Sequence, residues 1–203
     1  MKTPYIFAGA LVLGLTVSLL GDWQACSIGP TSQTGIETNS SNDFTLTALG
    51  SPLDGQNDDM GFATGPGKLS GDCEIMAHVT KISPGKEDWA TGGLMMRESL
   101  GGGSKFIAVG CTRGHGVLSF TRSEESDNVL RQENCGDCLA PIWVKIVRRG
   151  NHFVSYKSSD GVVWLQVNEA DIVMKKSVWV GAFATSGGDA TGVVVTFQRV
   201  TTR

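Results

Sequence analysis

Charge is scarce in this chain, and what there is leans acidic. Only 18% of the 203 residues are charged, with 17 Lys and Arg against 20 Asp and Glu, a formal net charge of −3. No basic excess exists to neutralise a phosphate backbone, so nucleic acid is not an expected partner. The one small basic cluster, KIVRR (145–149), alternates its charges between faces if it is a strand. The Ala, Glu, Lys and Leu enrichment of helical proteins is missing, and no segment carries a persuasive helical period. Repeats at a fixed spacing are absent, which excludes solenoids. The abundant residue is glycine, at 27, against 6 prolines. That balance suits short strands joined by glycine turns.

The N-terminus has its own signature. Lys2 precedes IFAGALVLGLTVSLL (6–20), an uncharged apolar run too short for a comfortable transmembrane span but suited to the core of a signal peptide. The following GDWQAC offers Ala25–Cys26 as a lipoprotein-type junction, although Trp23 stands where an aliphatic residue is wanted. The expectation is export to the periplasm, cell surface or exterior. Residues 1–26 would be the signal, Cys26 a lipidation candidate, and an N-terminal anchor the only membrane contact. SIGPTSQTGIETNSSN (27–42), polar and rich in Ser, Thr, Gly and Asn, reads as a flexible tether to a folded body over 43–203.

Export permits disulfides. If Cys26 is lipidated or removed, Cys73, Cys111, Cys135 and Cys138 remain and can pair completely. ENCGDC (133–138) is a C-x-x-C with three readings. A redox site needs a helix N-terminus, which the following Leu-Ala-Pro does not promise. Zinc needs further ligands, and only the scattered His78, His115 and His152 are available. A local loop staple, or pairing with Cys111 or Cys73, is the simplest reading.

From DFTLTALG (43–50) onward the pattern is β. GDCEIMAHVTKI (71–82) places Cys73, Ile75, Ala77 and Val79 on one face and Glu74, Met76, His78 and Thr80 on the other. FIAVGCTRGHGVLSFTR (106–122) reads as a hairpin about Arg-Gly-His-Gly. WVKIVRRGNHFVSYKSSDGVVWLQV (143–167) reads as three strands, with Arg-Gly-Asn and Asp-Gly as turns. VWVGAFATS (178–186) and GVVVTFQRV (192–200) follow, and DNVLRQE (127–133) is left as a single helical turn. About ten short strands with turns every eight to twelve residues imply an antiparallel sandwich or barrel.

The order LSGDCEIMAHV, WATGGLMMRESL, GNHFxxYxSSDGxxW, VGAFATS resembles a bacterial concanavalin A-like module that also occurs at the C-termini of some xylosidases. The resemblance covers residues 43–200, and Met-Arg-Glu-Ser is its most specific mark. It implies an all-β, antiparallel jelly-roll sandwich of two curved sheets. Where members have an inferred role, it is usually glycan binding. The chain departs from the pattern at SPLDGQNDDMGF (51–62), where Asp54 replaces an expected aromatic, and at the CGDC insertion.

Within GGLMMRESL (92–100), Gly93, Met95, Arg97 and Ser99 share one strand face. Leu94, Met96, Glu98 and Leu100 share the other, more apolar one. Arg97 is thereby expected on the outer, concave surface. Two readings stand: a fork onto a sugar or acidic polymer, or a cross-strand ion pair with a neighbouring carboxylate. Aromatic stacking platforms for sugars are Trp89, Trp143, Tyr156, Trp164 and Trp179. Trp143 is expected to face outward with Lys145, Trp164 to pack over the Asp-Gly turn and Trp179 to be core. The expected contact set is Arg97, Arg122, Trp89 and Trp143.

Asp54, Asn57, Asp58 and Asp59 form a weak calcium-loop candidate, the only cofactor raised. No E-x-D-x-x-E spacing supplies the paired carboxylates of a glucanase, so catalysis is not expected and a glycosidase stays a distant alternative. The expectation is a non-catalytic exported module that binds polysaccharide or cell-surface glycan. Its rival is an adhesive protein that meets other surface proteins.

Overall fold

The computed structural model describes residues 23–30, 32–65, 67–83, 87–135 and 138–203, with the side chains of 133–135 excepted. Residues 1–22, which carry most of the expected signal segment, lie outside this set. The strands in chain order are β1 (Gln24–Ile28), β2 (Thr34–Ser40), β3 (Asp43–Ala48), β4 (Met60–Thr64), β5 (Leu69–Ser70), β6 (Cys73–Ser83), β7 (Thr91–Arg97) and β8 (Phe106–Thr112). They continue as β9 (Val117–Arg122), β10 (Leu130–Cys135), β11 (Ile142–Arg149), β12 (His152–Ser158), β13 (Leu165–Asp171), β14 (Ser177–Thr185) and β15 (Val193–Thr202). Sheet one runs β1-β4-β14-β7-β8-β9-β10, with β5 attached to β14, and sheet two runs β13-β12-β11-β6-β15-β3-β2. Every pairing is antiparallel, giving the all-β jelly-roll sandwich.

The alternation in 73–80 becomes architecture. Cys73, Ile75, Ala77 and Val79 enter the inter-sheet core, where they meet Leu94, Met96, Ile107 and Val109 from sheet one. The 106–122 hairpin and the three strands of 143–167 form as their turn signals suggest. Gly92 allows the sheets to approach closely there. A Cβ at that position would lie 2.4 Å from Val195 Cγ1 on the facing sheet.

Three expectations are corrected. The 27–42 stretch is not a free tether: β2 pairs with β3 over Thr34–Ser40, because an edge strand needs backbone partners more than apolar side chains. Residues 127–133 do not form a helical turn. Leu130–Cys135 is the edge strand β10, paired with β9. Cys73 and Cys111 are free, buried thiols rather than disulfide partners, since both point into the inter-sheet core. Cys138 is disulfide-bonded, while the side chain of Cys135 lies outside the described residues.

Candidate functional site

The two sheets present very different outer faces. In β4, β7, β8 and β9 every residue is buried, so both faces of the middle of sheet one are covered. Its outer face carries a second apolar core of Met60, Phe62, Met95, Phe106, Phe120 and Phe183, roofed in part by Leu53 from the 49–59 loop. Fully burying each such side chain is worth about 1.5–3 kcal/mol, which holds the roof in place. In β6 and β11, by contrast, buried residues alternate with half-exposed ones, and the outer face of sheet two is open.

Arg97 and Arg122 belong to the covered face, and both are 0% exposed. Arg122 directs all five N–H groups at acceptors. Nε donates to Asp127 O at 2.8 Å. Nη1 donates to Gly102 O and Ser104 O at 3.0 and 3.1 Å, and Nη2 to Gly55 O and Asp58 Oδ1 at 2.7 and 2.8 Å. Arg97 donates from Nε to Ser99 O and from Nη2 to Gly101 O, both at 2.6 Å, and from Nη1 to Met95 Sδ at 3.3 Å. Its Nη2 also lies 3.1 Å from Asp58 Oδ2, an ion-pair contact without hydrogen-bond alignment. Burial pulls the Arg97 pKa below its usual value, while the Asp58 carboxylate pulls it up. The pair thus clamps the 51–59, 98–104 and 123–128 loops over sheet one.

This overturns Arg97 and Arg122 as ligand contacts. Arg97 does meet a carboxylate, but it is Asp58 in the loop before β4 and not a cross-strand partner, which on its two sides are Trp179 and Phe106. The face assignment of β7 was right, with Met95 outward and Leu94 and Met96 inward; what the outward face meets is protein. The calcium expectation falls with it. Asp58 is 2% exposed and its carboxylate is taken by two guanidiniums, so the loop has lost its central oxygen donor. Among the described residues no cluster of His, Cys, Asp and Glu is arranged to hold a metal. Asp54 and Asn57 stay in the same loop, and Asp59 is buried beside the clamp.

The aromatic candidates divide. Trp89 is half-buried against the second core. Its ring stacks on His115 at 3.8 Å between centroids, with the Arg131 guanidinium 4.4 Å from the same ring. Trp179, expected in the core, is only half-buried and lies beneath Lys68. Trp143 faces outward on sheet two as expected, yet is 9% exposed. His78, its cross-strand partner, stacks on it at 4.7 Å, and the 158–161 turn closes against the indole. A Cβ at Gly161, whose φ is +75°, would lie 2.9 Å from Trp143 Cε2. Trp143 is therefore a packed support and not an open platform.

The rings left half-exposed on this face are Tyr156 and Trp164, which converge on Lys145. Tyr156 and Lys145 are cross-strand partners on β12 and β11. Trp164 comes from the turn leading into β13. Asp160 tightens that turn by accepting from Val162 N and Val163 N at 2.8 and 2.9 Å, which lowers its pKa. Sequence reasoning raised Tyr156 but not the grouping, because the register between strands brings the three together.

Cys26 lies within β1, opposite Phe62, with its thiol half-buried against the second core. Burial raises its pKa. A lipid thioether there would have to leave that packing. Trp23, just before the strand, packs on Phe44 at 5.0 Å and donates from Nε1 to Ser41 O.

No protein-family model matches the sequence, and no curated protein matches it. Solved structures do. A functionally unknown protein from Saccharomyces cerevisiae superposes with a TM-score of 0.68 at 15% identity, covering 91% of this chain and 97% of that one. The carbohydrate-binding module CBM66 from Bacillus subtilis gives 0.59 at 15% identity, covering 88% and 94%. The GH43 protein BlXynB from Bacillus licheniformis, in a K247S mutant, gives 0.57 at 12% identity, covering 82% of this chain but 37% of that one. Legume lectin-like structures share the same architecture. The fold is the concanavalin A-like jelly roll, as the resemblance implied, and at these identities the likeness is one of fold.

Proposed function

We propose that the protein is an exported, non-catalytic module that binds glycan through the open outer face of sheet two. The observation that carries this reading is the contrast between the faces. Sheet one is sealed by clamped loops, whereas sheet two exposes Tyr156 and Trp164 beside the polar side chains of His78, Lys145 and Gln166. Aromatic rings offer flat apolar surface to the C–H face of a sugar, and neighbouring amides, hydroxyls and amines can bond its oxygens. The concanavalin A-like fold, shared with a carbohydrate-binding module, supports the reading by analogy. Of the carboxylates on or beside this face, Glu74 pairs with Arg203 at 3.0 Å, Asp171 with His152 at 2.9 Å, and Glu169 accepts from Gln166 Nε2 at 3.1 Å. That favours binding over acid–base chemistry, which needs two free carboxyl groups flanking a bond. Export rests on the apolar run at 6–20.

The test is retention of the protein on a panel of polysaccharides by affinity electrophoresis. Trp164→Ala and Tyr156→Ala are each expected to weaken binding roughly tenfold, about 1.4 kcal/mol. Binding that survives both changes would refute the surface.

One observation favours the adhesive reading as a second. Val162, Val163 and Leu165 are 78%, 64% and 59% exposed at the β12–β13 turn, a small apolar patch suited to a protein partner. Self-association measured by sedimentation, and abolished by Val162→Ser, would support it.

A further inference from the structure

Lys145 is a cation without an anion. Its Nζ lies 4.1 Å from the Trp164 ring centroid and 4.9 Å from that of Tyr156. Among the described residues it makes no ion pair and no hydrogen bond. The acid close enough to influence it, Glu74, is held by Arg203. Arg199 is in the same position. Its guanidinium lies 5.8 Å from the Trp143 ring, no carboxylate among the described residues reaches it, and its backbone N–H donates to Asp43 Oδ1 at 2.7 Å. Trp143 and Lys145 are two residues apart on β11, so the two cations flank one stretch of the open face.

A cation over an exposed ring gains less than a hydrogen bond to a charged group supplies. The rings therefore position Lys145 without satisfying it. A neutral sugar stacking on the covered side of Trp164 would have to displace the ammonium and gain no charge contact in return. A sugar carrying an acidic group could bond Lys145 while its ring lies against Tyr156 or Trp164. The net charge of −3 repels polyanions at long range, but at physiological salt that repulsion is screened beyond about 8 Å, leaving the local cations to act.

We propose that the glycan taken by this face is anionic, its carboxylate or sulfate gripped by Lys145 and Arg199 with Tyr156 and Trp164 flanking the sugar ring. This rests on the glycan-binding reading above and specifies its ligand class.

The experiment uses the full chain against immobilised polygalacturonate, its fully methyl-esterified form, dextran, dextran sulfate and an oligo(dT) strand, at low and physiological salt. Polygalacturonate or dextran sulfate is expected to be retained at least tenfold more tightly than the ester or plain dextran. The uronate and sulfate arms distinguish the two acidic groups. Lys145→Gln should lose about tenfold on the anionic polymer with an unchanged melting temperature, and Lys145→Arg should keep most of it. Equal retention of the ester or plain dextran overturns the anionic assignment and leaves the glycan reading standing. Failure on every polysaccharide overturns both. Retention of oligo(dT) equal to that of the acidic polysaccharide overturns the assignment in favour of a nonspecific polyanion surface.

Discussion

Arg122 Nη2 and Asp58 Oδ1 meet at 2.8 Å across 64 residues of sequence, both side chains sealed from solvent. The contact joins the end of β9 to the loop before β4, and Arg97 closes on the other oxygen of the same carboxylate. It makes a rigid roof of three loops that would otherwise leave Met95, Phe106 and Phe120 bare.

Breaking that triad on one side leaves buried charge uncompensated, which typically costs 3–5 kcal/mol. Asp58→Ala should therefore lower the melting temperature by about 10 °C in calorimetry. Arg122→Lys should also destabilise, because an ammonium cannot reach five acceptors set around a planar fork. Glycan retention per folded molecule should be unchanged in both. Lost retention at full stability would return the arginines to the binding site.

Gly92→Ala places a methyl group 2.4 Å from Val195 Cγ1, so the two sheets must separate locally. The expected loss is about 1–3 kcal/mol in urea denaturation. Val195→Ala in the same chain should recover part of it, and a double-mutant cycle measures the coupling. Strict additivity would mean that the close approach is not what makes Gly92 necessary.

The Cys111 thiol is buried in the inter-sheet core, which pushes its pKa from 9.0 up to about 12. Only the thiolate is nucleophilic, so the native protein should alkylate there about a thousandfold more slowly than an ordinary thiol. Mass spectrometry after iodoacetamide treatment should find Cys111 modified only once the protein is unfolded. Rapid native labelling would show that the core opens.

His78 stacks on Trp143, and burial first and Arg199 second lower its pKa below 6.5. As pH falls through 6.5 the unfolded chain binds the proton before the fold does. Stability is thus complete above that value and declines as pH drops toward the folded pKa. Urea midpoints at pH 7.5 and 5.0 should differ more for the parent protein than for His78→Gln. An identical pH dependence in the two would remove His78 from the account.

Much of the fold was legible because side-chain alternation is local. The faces of β6, β7 and β11 follow from period two alone, and glycine turns mark the hairpins. TGIETNS was missed as β2 because an edge strand is stabilised by backbone pairing with β3, which its polar side chains do not advertise. The contact set failed for a different reason. Alternation separates the two faces of a strand but does not say what covers each, and nothing in DGQNDD shows that Asp58 turns inward to two arginines.

The sequence by itself determined an all-β chain, its main hairpins, and the inward and outward residues of its central strands. Those properties depend on neighbours along the chain. Only the tertiary structure decided that the outer face of sheet one is roofed, that Trp143 is packed between His78 and a turn, and that Lys145, Tyr156 and Trp164 gather on the face left open. Each of those depends on loop closure and strand register, which bring together residues that the sequence keeps apart.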